Sequence, residues 1–396
     1  MNKKLTRDAQ ARGTSDPGKT ILRHALTCAV ILVLPGLAAA GWDEPSAGPT
    51  ACDRTADTMY RACHFDVLDD YSATIANCLN FSDGDSRRQC RHEARATWRE
   101  DARACREVRA ARKDACELLG EDRYDPDPLL DPAIEFIDPD DVPLDYSPNP
   151  YVNVAAGHTY VLRAGEEGEE TVIVHVTGES REIQGVPCRV VVDAAVEISD
   201  DEGEIEVEAV EITDDWFAQS TAGDVYYCGE IARNFEDGTL RDLDGSFEAG
   251  IDFAKSGVLI RQFPMAGEAH RQEYALGEAE DIVQYLALND GPTAEEGGEN
   301  ESFPCDDGCL RTFEFAPIEP EATEFKFYHA GTGFVLAVAL EDGEVTGERE
   351  ELVCVGDSLD VLNEPECELG DADTVAAVLE ELCKVAPDAF CAEGAE

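Results

Sequence analysis

The sequence predicts an α+β multidomain protein: a disulfide-laddered antiparallel helical hairpin followed by a mainly antiparallel β domain, a barrel or curved sandwich. Three observations predict it. Residues 52–116 hold six cysteines in a proline-free background rich in Ala, Arg, Asp and Glu, which favours long helices. Residues 125–150 are crowded with Pro and Asp and can support neither helix nor central strand. Beyond them come short β-branched and aromatic runs cut by Gly, Asp and Glu, without alternating helices, the texture of antiparallel strands.

In chain order, residues 1–40 read as a Sec-type signal peptide. Lys3, Lys4, Arg7, Arg12, Lys19 and Arg23 precede an apolar run over 25–34, and Ala38, Ala39 and Ala40 offer small residues for cleavage after Ala40. The run is too short to span a membrane, so the expected product is secreted or periplasmic in a bacterium, with no membrane span. Of the 15 cysteines, Cys28 falls in this segment and 14 remain, an even number that suits a disulfide framework in an oxidising compartment. Residues 41–50 read as a flexible N-terminus.

The hairpin occupies 51–124. Its cysteines, Cys52, Cys63, Cys78, Cys90, Cys105 and Cys116, are separated by 11, 15, 12, 15 and 11 residues, a palindrome centred on Gly84. Eleven and fifteen residues are close to three and four helical turns, so each helix keeps its cysteines near one face. Six cysteines allow 15 pairings, and only Cys52–Cys116, Cys63–Cys105 and Cys78–Cys90 keep every partner level across a folded-back pair. The polar bend 80–86 offers Asp85 or Ser86 as cap of the returning helix. Zinc is disfavoured, since no C-x2-C occurs.

Charge sets limits on partners. Asp and Glu number 86 against 31 Lys and Arg, formally −55, so nucleic acid and anionic lipid are repelled. A solvated acidic surface or divalent-cation binding remains. The imbalance is uneven, with 15 acidic and 13 basic residues over 51–124 but 67 and 12 from 125 onward. On the second helix Arg88, Arg95, Arg99 and Arg106 share one face, either as a solvated ridge or as a docking strip for an acidic partner, including an intramolecular one in the β domain.

Residues 125–150 read as an extended spacer and 151–345 as the β domain. Strands are expected at 158–162, 171–176, 188–198, 204–212, 225–232, 246–253, 271–276, 282–288, 310–315, 324–328 and 334–340. Cys188 and Cys228 could bridge neighbouring strands, and Cys305 with Cys309 could close an acidic loop. The pairing of Cys354, Cys367, Cys383 and Cys391 is open; they lie in a C-terminal tail, 346–396, with a short helix over 374–384.

The runs Asn149-Pro150-Tyr151, Asp215 to Gln219, Gly223 to Glu230, Arg271 to Tyr274, and Lys326 to Tyr328 with Gly331-Thr332-Gly333 are similar to those of an uncharacterised family of secreted bacterial proteins. That family joins a β-rich domain to a cysteine-laddered helical hairpin. The resemblance covers roughly 52–340 and implies no catalytic residue.

Chemistry is hard to find. A Gly356-Asp357-Ser358-Leu359 match to GDSL esterases stands late in the chain with no histidine after His329, contrary to that family's order. No G-x-S-x-G, Walker loop, H-E-x-x-H or dinucleotide G-x-G-x-x-G occurs. His175 reads as a structural imidazole on a strand face, and His270 beside Arg271 and Glu273 as a weaker acid–base candidate. Asp242, Asp244 and Glu248, around Gly245, offer oxygens for calcium but lack the full loop of ligands; no other cofactor is expected. The resulting reading is a non-catalytic binding or envelope protein whose ligand is a small apolar molecule, a divalent cation or an unknown protein. The alternative is a secreted carboxylate-dependent hydrolase acting on glycans. An apolar cavity would favour the carrier, and a cleft with two carboxylates about 5–10 Å apart the enzyme.

Overall fold

The computed structural model describes residues 49–142, 148–165, 168–201, 204–236, 238–296, 298–306, 308–341 and 343–391. The signal peptide and its cleavage site lie outside the described residues.

α1 (Ala51–Leu79) starts at a capping box in which Thr50 and Asp53 each bond the other's backbone. α2 (Gly84–Leu119) is capped by Asp83, two residues before the expected Asp85; its carboxylate accepts from the N–H groups of Asp85 and Ser86 at 3.0 and 2.8 Å. Gly120 ends α2 at φ 62°, the left-handed position that glycine fills without strain. Disulfides Cys52–Cys116, Cys63–Cys105 and Cys78–Cys90 cross the seam with Cα atoms 5.9, 5.9 and 5.5 Å apart. The apolar cluster between the helices is small, Val67, Ala102 and Cys105 with Tyr60, Cys63 and Trp98 against them, and the hairpin's other buried hydrophobic positions are alanines and cysteines. Covalent rungs therefore supply what burial alone cannot.

Fifteen strands follow in one antiparallel sheet. They are β1 (Thr159–Gly165), β2 (Glu170–Ile183), β3 (Val186–Asp201), β4 (Glu204–Gln219), β5 (Val225–Glu236), β6 (Thr239–Asp242), β7 (Phe247–Glu248) and β8 (Lys255–Ile260), then β9 (Ala269–Arg271), β10 (Glu273–Tyr274), β11 (Ile282–Asp290), β12 (Cys309–Phe315), β13 (Thr323–His329), β14 (Gly333–Glu341) and β15 (Glu344–Gly356). The order is β10-β8-β5-β4-β3-β2-β1-β15-β14-β13-β12-β11-β9, with β6 and β7 on β5. Its two edges, β9 and β10, are separated in sequence by Gln272 alone, so the sheet curls into a nearly closed barrel. At that seam a Cβ on Gly257 would lie 2.1 Å from the Gln272 carbonyl oxygen; glycine lets β8 approach the joint.

β6, β8 and β15 are additional to the strands expected. β15 pairs with both β1 and β14 and runs through the expected boundary at 345/346, so the start of the C-terminal segment is barrel wall. Its central Glu348-Arg349-Glu350-Glu351 contains no strand-favouring residue, which hid it. Conversely, the run expected at 246–253 keeps only the two residues of β7 and then turns, with Asp252 and Phe253 at φ 48° and 69°.

After β15 come α3 (Ala372–Val385) and α4 (Pro387–Phe390). Val375, Val378, Leu382 and Phe390 pack on Val161, Ile173, Val192, Ala194 and Ile212, covering the outside of β1–β4. Cys354–Cys367 and Cys383–Cys391 fasten this segment. Cys305–Cys309 closes its short loop, and Cys188–Cys228 joins β3 to β5, the two strands that flank β4 rather than direct neighbours.

The Pro/Asp tract is fastened along the barrel instead of standing off as a spacer. Leu129 is buried with Trp216, Tyr226 and Val258. The Ile137 N–H donates to the Gln219 carbonyl at 2.8 Å, and Asn149 Nδ2 to that of Gly223 at 2.9 Å. Val142, Val154 and Ala155 pack on Val225, Ile260, Val283, Tyr285 and Leu310, so the tract closes an apolar layer at one end of the barrel.

The hairpin is anchored at its base. Arg112 donates to both Glu280 oxygens at 2.8 and 2.5 Å, with the two side chains 8% and 1% exposed. Glu121 accepts from Arg271, and Tyr124 stacks on Tyr274 at 5.0 Å. Arg112→Ala would leave the Glu280 charge buried without its cation, an expected cost of about 3–5 kcal/mol readable by urea denaturation. Replacing Cys52 and Cys116 with Ala should cost about 4 kcal/mol, against about 3 kcal/mol for Cys78 and Cys90, because the outer bridge closes the longer loop; equal losses would overturn that ranking.

Candidate functional site: an acid-lined cavity in the barrel

Alternation along the strands gives each one an inner and an outer face. On β4, Glu211, Thr213, Asp215 and Phe217 point inward, whereas Ile212, Trp216 and Ala218 meet the outer clusters. β5 achieves the same with a bulge. Phe217 pairs with Tyr227 and Trp216 with Gly229, leaving Cys228 as the extra residue, so Tyr227 and Glu230, three apart, share the inner face. Gly229 is required there: its φ is 143°, and a Cβ would lie 2.4 Å from the Phe247 carbonyl oxygen. β3 adds Asp193, β12 Thr312 and Glu314, β13 Glu324, Lys326 and Tyr328, and the joint at the seam Gln272, Glu273 and Asp281.

These side chains surround a cavity of about 920 Å³. Twelve Asp and Glu side chains line it against Lys326 alone. They form three groups. Tyr227 donates to Asp215 and lies 2.7 Å from Glu230 Oε2, and the two carboxyl groups also hydrogen-bond each other. Glu273 and Asp281 form a second bonded carboxyl pair. Glu314 accepts from Thr312 at 2.8 Å, Tyr328 at 3.2 Å and Gln272 at 3.4 Å, and pairs with Lys326 at 3.2 Å; Lys326 also holds Glu324 at 3.0 Å.

Burial raises the carboxyl pKa values of the deepest members. Burial, and then the charges of Glu350, Glu211 and Glu230, push Asp193 up to about 8. Burial raises Glu230 to about 7 and Glu350, on β15, to about 7. Asp215 and Glu273 are held well above the carboxylate range by burial and by neighbouring carboxylates, and Asp281 is raised for the same first reason. Burial works against the Lys326 ammonium, yet Glu314 and Glu324 leave it raised overall. Asp193, Asp215, Glu230, Glu273, Asp281 and Glu350 thus hold their protons more tightly than ordinary carboxyls do.

The residues singled out from sequence fall elsewhere. Asp242 accepts from Asn234 at 2.9 Å and from the Asp244 N–H at 3.3 Å, while Glu248 pairs with Arg181 at 2.5 Å. Asp242, Asp244 and Glu248 thus do not converge, because β7 lies flat on β5 and hands Glu248 to β2. Among the described residues no group of three His, Cys, Asp or Glu side chains is placed to hold a metal ion. Arg88, Arg95, Arg99 and Arg106 are exposed on α2; contact with the β domain is made by Arg112 at the base of the hairpin. His270 is buried, bonds Tyr285 at 3.0 Å and is pulled down to about 3 by burial, a structural imidazole. His175 bonds Thr159 at 2.9 Å and is pulled down to about 4 by burial. The cavity carboxylates were visible in part: Asp215, Glu230 and Glu273 stand in the motifs that carry the family resemblance. The signal that could have found the set is a carboxylate at alternate positions of strands whose other face is apolar, as in Val192-Asp193-Ala194 and Ile212-Thr213-Asp214-Asp215-Trp216.

No family model matches the chain, and no curated protein matches it. A solved Bacteroides fragilis protein assigned as exported, with a YmcC-like fold, aligns at 10% identity over 52% of this chain and 98% of its own, with a TM-score of 0.22.

Raised carboxyl pKa values make an unusual prediction for stability. A carboxyl held protonated in the fold stabilises it below the unfolded-state pKa, and that stability is lost as pH rises through the folded value. His158, His175 and His270, all lowered by burial, oppose this only below their unfolded value of about 6.5. Between about pH 6.5 and pH 8.5 the carboxyls act alone, so the melting temperature should fall across that window, at about 1.4 kcal/mol for each pKa unit lost. A calorimetric melt that rises or stays level there would refute the buried-acid description.

Proposed function

We propose that this chain is a secreted or periplasmic binding protein without catalytic activity, whose barrel holds a polyamine-like ligand, a flexible molecule with several amines. The carrying observation is the 920 Å³ cavity in which twelve acidic side chains face one lysine. A charged amine can displace a stored proton and form a charge-assisted bond to the exposed carboxylate. Several amines spaced along one chain would engage Asp193 and the Asp215–Glu230 and Glu273–Asp281 pairs in turn. Seven disulfides support an oxidising compartment, in line with the N-terminal sequence and the resemblance to secreted bacterial proteins.

The apolar ligand expected of a wrapped sheet suits these walls poorly, since it would leave the carboxyls unsatisfied. A divalent ion is disfavoured by the absence of a three-residue ligand group among the described residues. The glycan-hydrolase alternative needs carboxyls about 5–10 Å apart on either side of a sugar bond. Asp215 and Glu230 touch each other, so this pair leaves no room between its carboxyls for the bond.

Titration calorimetry with spermidine at low salt tests the proposal. Binding is expected with proton release, seen as a dependence of the heat on buffer ionisation, and with loss of affinity as salt rises. Asp193→Asn combined with Glu273→Gln should weaken it at least about tenfold, roughly 1.4 kcal/mol, whereas Glu206→Gln with Glu208→Gln on the exposed part of β4 should leave it unchanged. Absence of binding, or equal weakening by both pairs, would overturn the cavity as an amine site. Native mass spectrometry of protein purified from its own host would show whether an amine travels with it.

A further inference from the structure

The outer face of α1 carries a second seam that nothing among the described residues covers. Phe65, Leu68, Ser72, Ile75 and Leu79 follow one another at intervals of 3, 4, 3 and 4 residues, the spacing that lines one side of a helix for knobs-into-holes contact with another helix. The cysteine ladder faces α2, so at 100° per residue this stripe points away from it. Phe65 is 70% exposed, Leu68 46% and Leu79 57%. Loops elsewhere also expose apolar residues, such as Ile251 with Phe253 and Phe263 with Met265, but without helical spacing. A periodic stripe on a rigid helix is different.

We infer that this stripe is a self-association surface on which α1 of a second copy of the chain packs seam to seam. Three observations choose that occupant. The spacing demands a helix with a matching 3-4 seam. Within the described residues, α1 supplies it: α2 presents Arg88, Arg95, Arg99 and Arg106 on its exposed face, and the apolar side of α3 is buried on the barrel wall. Charge points the same way. The chain as a whole is formally −55, and from residue 125 onward 67 acidic residues meet 12 basic ones, so two copies repel across most of their surface. Over 51–124 the count is 15 against 13, and the hairpin is where two copies can approach closely. Rigidity completes the case. The rungs Cys63–Cys105 and Cys78–Cys90 stand just before Phe65 and just before Leu79, so α1 is tied to α2 along the stripe before it associates and the entropy cost of docking is reduced.

The seam is two heptads long, shorter than a free coiled coil requires, so the association is reversible and depends on concentration. It is independent of what the barrel holds. Sedimentation velocity of the full mature chain, from low to high micromolar loading in near-physiological salt, tests it. A shift from monomer to dimer is expected, and Leu68→Glu with Leu79→Glu should abolish it while circular dichroism and the disulfide map stay unchanged. Phe253→Ser, at a loop tip that is 94% exposed, should dimerise as the parent does. A parent chain that stays monomeric throughout would overturn the inference. So would a double variant that dimerises like the parent, or a monomeric parent that floats with phosphatidylcholine vesicles through this helix.

Discussion

A carboxylate enclosed in a protein either keeps its proton or finds a cation, and the barrel of this chain meets that choice at Asp193 on β3, Asp215 on β4, Glu230 on β5, Glu314 on β12 and Glu350 on β15. Water would otherwise solvate these groups; enclosure removes it, and the cost of a bare charge rises steeply. The fold answers in three ways. Asp215 with Glu230, and Glu273 with Asp281, share protons within pairs. Glu314 takes three hydroxyl or amide donors and Lys326. Asp193 and Glu350 keep protons near neutrality. The construction of the rest follows from the need to hold such an interior shut.

Closure falls to backbone geometry and to covalent links more than to a large core. Gly257 admits the Gln272 joint, and the bulge at Cys228 turns Tyr227 and Glu230 to one side. The Pro/Asp tract packs over the apolar end, and the C-terminal helices cover the outer face of β1–β4. Proline suits the tract because it crosses strands without competing for their ladder bonds. Four bridges tie the β domain and its C-terminal cover.

The hairpin obeys the opposite rule. Its charges nearly balance, its core is a few residues, and three rungs replace burial. It meets the barrel through few contacts, of which the Arg112–Glu280 pair is the most deeply buried. Sequence spacing left the α2 arginines as either a solvated ridge or a docking strip, and a helix that projects from its base can bring only its last turns to the barrel. Arg112 lies there; Arg88, Arg95, Arg99 and Arg106 lie too far along the axis.

How much was legible depended on the range of the determining interaction. The cysteine palindrome is local periodicity along two helices, and from it the hairpin, its three rungs and its bend could be read directly. The strands with β-branched runs were legible as well. β15 was not, because a strand held by β1 on one side and β14 on the other can carry Glu-Arg-Glu-Glu without local preference. The acidic site was hidden for a deeper reason. Alternation along Val192-Asp193-Ala194 states that the two faces of a strand differ, and in an open sheet the acidic face would meet solvent. Only closure of the sheet, through a bulge, a glycine and one residue between β9 and β10, turned that face inward and made a cavity of it.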